Sequence, residues 1–260
     1  MTVPARTANF AVIQFWLALA ALLVVAALGW ALLLAAQAAM QSMQGQGLLM
    51  SFIMTMMRPS ASLPYLAASA TMWVVMMIAM MTPAALPMML VFRSLDRGPG
   101  GAFDPLWFAG GYLASWCGFA LLATLLQWAL HRQGYLHGDA LAVTRDAAGA
   151  ILSVAGIWQL TPYKAACLAH CRGPLGFFMS HWRAGRWGAF AMGWRHGAYC
   201  IGCCWMLMVL MFAGGAMSVL TMAALAVFIL AERLLPGGPW VARVPGVALI
   251  GVGMLLMLGG

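Results

Sequence analysis

Apolar residues in this chain gather into long runs separated by short segments rich in Gly, Pro, Arg and Asp. Runs near or above the roughly 20 residues that cross a bilayer occupy about 10–38, 64–92, 105–131, 147–166, 188–213, 216–235 and 240–258. The pattern predicts an all-α fold, a polytopic transmembrane helix bundle of six or seven spans forming one integral membrane domain over 1–260. The first run is too long for the core of a signal peptide and is read as a helix. Ala213-Gly214-Gly215 leaves almost no loop before the sixth run. The seventh is short and glycine-rich, so it can tilt or re-enter.

Composition agrees with this reading. The 260 residues are 65% hydrophobic and 7% charged, against about 25% charged in a soluble domain. With the N-terminus cytoplasmic, inner segments hold nine cations: Arg6, Arg93, Arg97, Lys164, Arg172, Arg183, Arg186, Arg233 and Arg243. Outer segments hold three: Arg58, Arg132 and Arg145. This is a positive-inside bias. The net charge of +8 therefore reflects topology and anionic lipid rather than nucleic-acid binding. Arginine in place of lysine, with abundant alanine, points to a bacterial inner (cytoplasmic) membrane.

The chemistry concentrates in HGAYCIGCCWMLM, 196–208. Cys200, Cys203, Cys204 and Met208 recur at helical spacing, and His196 sits one turn before Cys200, so all project from one face. Lipid gives no reason to align thiols, an imidazole and a thioether, whereas soft ligands of this kind select copper(I) and, less exclusively, zinc. The alternative is that buried cysteines serve as small inert hydrophobes, the reading adopted for Cys117. Because no cysteine falls in an outward loop, the six do not form a disulfide framework.

Two further segments carry sulfur. Met72, Met76 and Met80 repeat every fourth residue along the second run, as do Met77 and Met81. Methionine is also a flexible gap-filler, and the chain holds 23 of them. Methionines one turn apart in a spanning helix are nonetheless how eukaryotic copper(I) transporters meet their ion. Pro83 and Pro87 are expected to kink or open this helix. At 1.5 Å per residue, Met72 comes level with Cys200 and Met76 with His196, about 12 and 18 Å below the outer boundary. Gly193 and Gly197 allow a neighbouring backbone close approach. One shared site between the two helices is therefore expected.

The other segment is TPYKAACLAHCRGP, where Cys167 and Cys171 lie one turn apart at an inner helix end. Nearby Lys164, Arg172, Arg183 and Arg186 are expected to favour thiolates there, with Met80 and Met81 bridging this inner exchange site to the buried one. Arg195 is costly within a span and is expected to pair with Asp146 or Glu232, or to snorkel inward. The methionine-rich stretch 40–57 reads as an amphipathic outer loop or half-helix. There is no carboxylate pair for acid–base chemistry, no Ser-His-Asp set and no glycine-rich phosphate loop.

The blocks MMIAMMTPAALPMM from Met76, PYKAACLAHCRGP from Pro162 and GAFAMGWRHGAYCIGCCWMLM from Gly188 resemble a bacterial family of predicted metal-binding integral membrane proteins, the domain-of-unknown-function family numbered 2182. The resemblance covers roughly 60–260. It implies metal binding, without a defined transport activity or reaction, and points to Cys167, Cys171, Cys200, Cys203 and Cys204.

Together these features predict a membrane protein that binds copper(I), with zinc second, through Cys200, Cys203 and Cys204, completed by His196, Met72, Met76 and Met80, with Cys167 and Cys171 as the inner pair. Its partners would be the lipid bilayer, the metal ion, and a periplasmic or membrane cuproprotein or metallochaperone. It would transport copper or deliver it to cuproproteins. Three other readings stand beside this one. Cys200-x-x-Cys203 has the spacing of a quinone-linked thiol-disulfide oxidoreductase, although no outward pair relays its disulfide. A copper-dependent membrane oxidase subunit would want more His and carboxylate ligands. A metal-free assembly subunit needs no ligands at all.

Overall fold

A computed structural model describes residues 5–42, 47–58, 60, 62–95, 104–137, 141–235 and 240–259. The chain folds as a helical bundle: α1 (Ala5–Ser42), α2 (Leu48–Met57), α3 (Leu63–Leu95), α4 (Asp104–Arg132), a two-residue hairpin β1 (Leu136–His137) and β2 (Ala142–Val143), then α5 (Arg145–Leu160), α6 (Pro162–Arg172), α7 (Pro174–His181), α8 (Gly185–Gly214), α9 (Val219–Leu234) and α10 (Trp240–Leu258). The predicted half-helix is α2, although 43–46 of that stretch lie outside the described residues, as do Arg97 and the side chain of Arg6.

Among the described residues, five helices are long and apolar enough to cross a membrane: Phe15–Gln41 within α1, then α3, α4, α8 and α10. The fourth and sixth predicted spans are realised as α5 and α9, each of 16 residues, or about 24 Å of helix against a hydrocarbon core of about 30 Å. The fourth ends early for a local reason. Pro162 has no N–H with which to continue the helix. Thr161 therefore closes α5, its backbone N–H donating to the Trp158 carbonyl at 3.0 Å, and caps α6 by accepting from the Lys164 N–H at 3.3 Å. What reads as an inner loop is two short helices, α6 and α7, joined at Gly173-Pro174. Gly215, at φ 92°, turns the chain from α8 into α9.

Glycine sets the closest helix contacts. A Cβ on Gly193 would collide with the Phe108 carbonyl of α4, and one on Gly197 with the Ser115 hydroxyl, as their spacing predicts. A second close pair joins α5 to α10, where Gly149 and Gly156 face Gly253 and Gly246. Helix α3 lies against α4, tied by the Trp73 indole N–H donating to Gln127 Oε1 at 2.7 Å. Trp73 also meets Phe212 of α8 at 5.5 Å between ring centroids. One helix, α3, runs through Pro83 and Pro87. Pro83 cannot donate to the Ala79 carbonyl, and the Trp30 indole of α1 donates to it instead at 3.1 Å.

Candidate metal centre

Cys200, Cys203 and Cys204 are fully enclosed on one face of α8. The Cys203 and Cys204 thiols both donate to the Cys200 carbonyl, at 3.1 and 2.9 Å. Two polar side chains close over the Cys200 thiol. Tyr112 of α4 places its hydroxyl 3.2 Å from Cys200 Sγ and 3.2 Å from the Met81 carbonyl. The Arg233 guanidinium of α9 donates to Cys200 Sγ and, at 3.2 Å, to the Ala84 carbonyl of α3. Neither partner was anticipated from sequence. In the sequence Arg233 reads only as an inner charge, and no local pattern marks Tyr112.

These contacts correct the depth arithmetic. Cys200 lies opposite Met81 and Ala84, about nine residues and 13 Å further along α3 than Met72. The register moved because α8 has 30 residues, about 45 Å, so its end does not mark the edge of a 30 Å core. Met76 and Met80 are buried in the same core as the thiols. Met72 belongs to that core as well and also lines a cavity with side chains of α1 and α2.

The α6 cysteines, by contrast, are closer to the cluster than expected. Cys171 lies beside Cys203, and Cys167 Sγ rests over Gly202, 2.9 Å from where a Cβ would stand. Cys167 and Cys171 are partly exposed. They therefore extend the α8 thiols toward the surface as one contiguous group, without bridging methionines. Burial works against the thiolates expected there. The neighbouring Cys203 sulfur, with burial, pushes the Cys171 thiol well above its usual range, and burial pushes Cys167 up as well. Two of the four cations expected to favour thiolates are held by Glu232. Lys164 forms a buried ion pair with Glu232 at 2.7 Å, and Arg172 donates to the Glu232 carbonyl. Glu232 is thus not the partner of Arg195, which lines a surface cavity of about 480 Å3 with His181, Arg183 and Trp194.

His196 is fully buried, one turn before Cys200. Its ring lies among Tyr112 (5.6 Å), Phe177 (5.6 Å) and Phe108 (6.0 Å), and neither ring nitrogen has a hydrogen-bond partner among the described residues. An orphaned buried nitrogen costs about 1–3 kcal/mol. Among the described residues no three His, Cys, Asp or Glu side chains are already arranged around a coordination point. The Cys203 and Cys204 thiols are instead spent on the Cys200 carbonyl, and rotation about χ1 releases them. Such a group suits a two-coordinate soft ion better than a preformed tetrahedral zinc site.

The arrangement is that of a polar, sulfur-rich cluster inside a bundle with helices of membrane-crossing length. The chain belongs to the PpoB2 family, described as copper chaperone, which matches residues 70–256. No curated protein and no solved structure matches it.

Proposed function

We propose that this chain is a bacterial inner-membrane copper(I)-binding protein, N-terminus cytoplasmic, that takes up copper at Cys167 and Cys171 and holds it on Cys200, Cys203 and Cys204. From there copper passes to a membrane or periplasmic cuproprotein. His196 supplies the orphaned nitrogen beside the cluster, and Met76 and Met80 flank it. Copper is cargo in this reading, and no enzymatic step is required. Membership of a family described as copper chaperone and the resemblance to the metal-binding membrane family numbered 2182 support it. The nine-to-three distribution of cations supports the orientation.

The observation that carries this reading is Arg233. A buried guanidinium needs an anion, yet among the described residues Arg233 has no carboxylate partner and turns to Cys200. Copper(I) held by two thiolates is an anion of charge −1, so Arg233 balances it. Zinc on the same two thiolates is neutral and leaves the arginine unmatched. Protein purified anaerobically in detergent should bind copper(I) in preference to zinc. Arg233→Met should weaken copper(I) binding by about ten- to a hundredfold, as loss of a charge-assisted hydrogen bond implies, and Arg233→Lys should restore part of it. Zinc that copper(I) fails to displace would overturn the proposal. So would full copper loading of a Cys200→Ser, Cys204→Ser variant.

A further inference from the structure

We infer that Met56, Met72 and Met217 form a second copper(I) site, built of thioethers alone and separate from the thiol cluster. It rests on the copper reading above. All three line one cavity of about 340 Å3 bounded by α1, α2, α3 and the turn before α9. They arrive from different parts of the chain and are 1%, 4% and 5% exposed. The rest of the lining is hydrocarbon: Leu32, Leu33, Ile53, Phe52 and their neighbours. Thr71 is the one hydroxyl among these residues, and it is spent on the Ala67 carbonyl at 2.8 Å.

The chemistry of that lining is selective. Methionine ordinarily fills gaps, and interiors are close-packed. Here three buried, flexible thioethers border a cleft that opens to the surface past Leu32 and Leu48. With sulfur as the only free donor, the cavity offers nothing to magnesium or calcium, which need oxygen, and thioethers favour copper(I) over zinc. Three neutral ligands leave the complex at +1, cheaper in an apolar surround than the +2 of a divalent ion. Met72, Met76 and Met80, each about 6 Å from the next along α3 and all buried, run from this cavity to the level of Cys200. In the proposed orientation the cavity lies in the outward half. It is where copper leaves the cluster for its acceptor.

The test uses full-length protein produced with selenomethionine and loaded anaerobically with copper(I). Selenium K-edge absorption should show a copper neighbour in the wild type. That neighbour should be lost in Met56→Leu, Met72→Leu, Met217→Leu, together with about one equivalent of copper, while thiol-bound copper stays. Leucine is close in volume, so packing survives. Met88→Leu with Met89→Leu, in the aromatic cluster around Phe92, should change nothing. Bound copper without selenium–copper scattering overturns this site and leaves the thiol cluster standing. Scattering that persists in the triple variant overturns the assignment to these three residues. If no copper binds at all, both proposals fall. If the triple variant does not fold, the single Met217→Leu variant decides: it should lose part of the selenium–copper scattering, and unchanged scattering overturns the assignment.

Discussion

Gly202 is where the two thiol-bearing helices touch. An alanine there would place its methyl 2.9 Å from Cys167 Sγ, and a thiol can rotate away more easily than a backbone can move. Gly202→Ala should therefore leave the bundle folded, turn Cys167 from α8 and speed its alkylation. The pH dependence follows from the raised Cys167 thiol. A raised value keeps the proton on sulfur at neutral pH, and only the thiolate attacks. Iodoacetamide labelling of Cys167 in metal-free protein, followed by peptide mass spectrometry, should rise about tenfold per pH unit from pH 7 upward. A rate already level at pH 7 would contradict this. Cys200, Cys203 and Cys204, all buried, should label more slowly than Cys167.

Among the elements, the α4–α8 contact is the tightest in which the thiol helix takes part. Phe108 presents backbone, not a movable side chain, to Gly193. Gly193→Val should cost about 3 kcal/mol, the upper end of overpacking penalties, read as a lowered midpoint of unfolding in detergent. Gly118→Ala, on the same α4 with open space around it, should be neutral or better, because alanine is the stronger helix former. Equal effects of the two would mean that the helices do not approach as described. The spacing of Gly193 and Gly197 made this contact readable from sequence. The α5–α10 contact was less so, because its four glycines are split between segments more than 80 residues apart.

Across the whole molecule, long apolar runs were legible because lipid enforces length and polarity on any spanning helix. Register between helices was not, since nothing in a run of apolar residues marks where α8 leaves the core. The stripe of Cys200, Cys203 and Cys204 was visible from spacing alone, while its polar cover was hidden. Tyr112 and Arg233 reach it from 88 and 33 residues away, distances at which local pattern carries no information. The same holds for Lys164 and Glu232, 68 residues apart, which pin α6 to α9 beside the cluster. Either Lys164→Met or Glu232→Leu alone should cost about 3–5 kcal/mol, by stranding the partner's charge. The double variant should recover most of that in the same unfolding assay. Additive losses would show that the pair does not act as one unit.

Helix α1 lies outside the family match, yet it finishes two jobs that the matched region leaves undone. Trp30 takes the Ala79 carbonyl that Pro83 cannot, and Gln37 Oε1 accepts the Val219 N–H at the start of α9 at 2.8 Å. A chain is made from its N-terminus, so both side chains are in place before their partners, which follow 49 and 182 residues later. Helix α1 thus acts as a waiting surface during synthesis. Helix α3 can pass its proline gap to a ready donor on arrival, and α9 is received last.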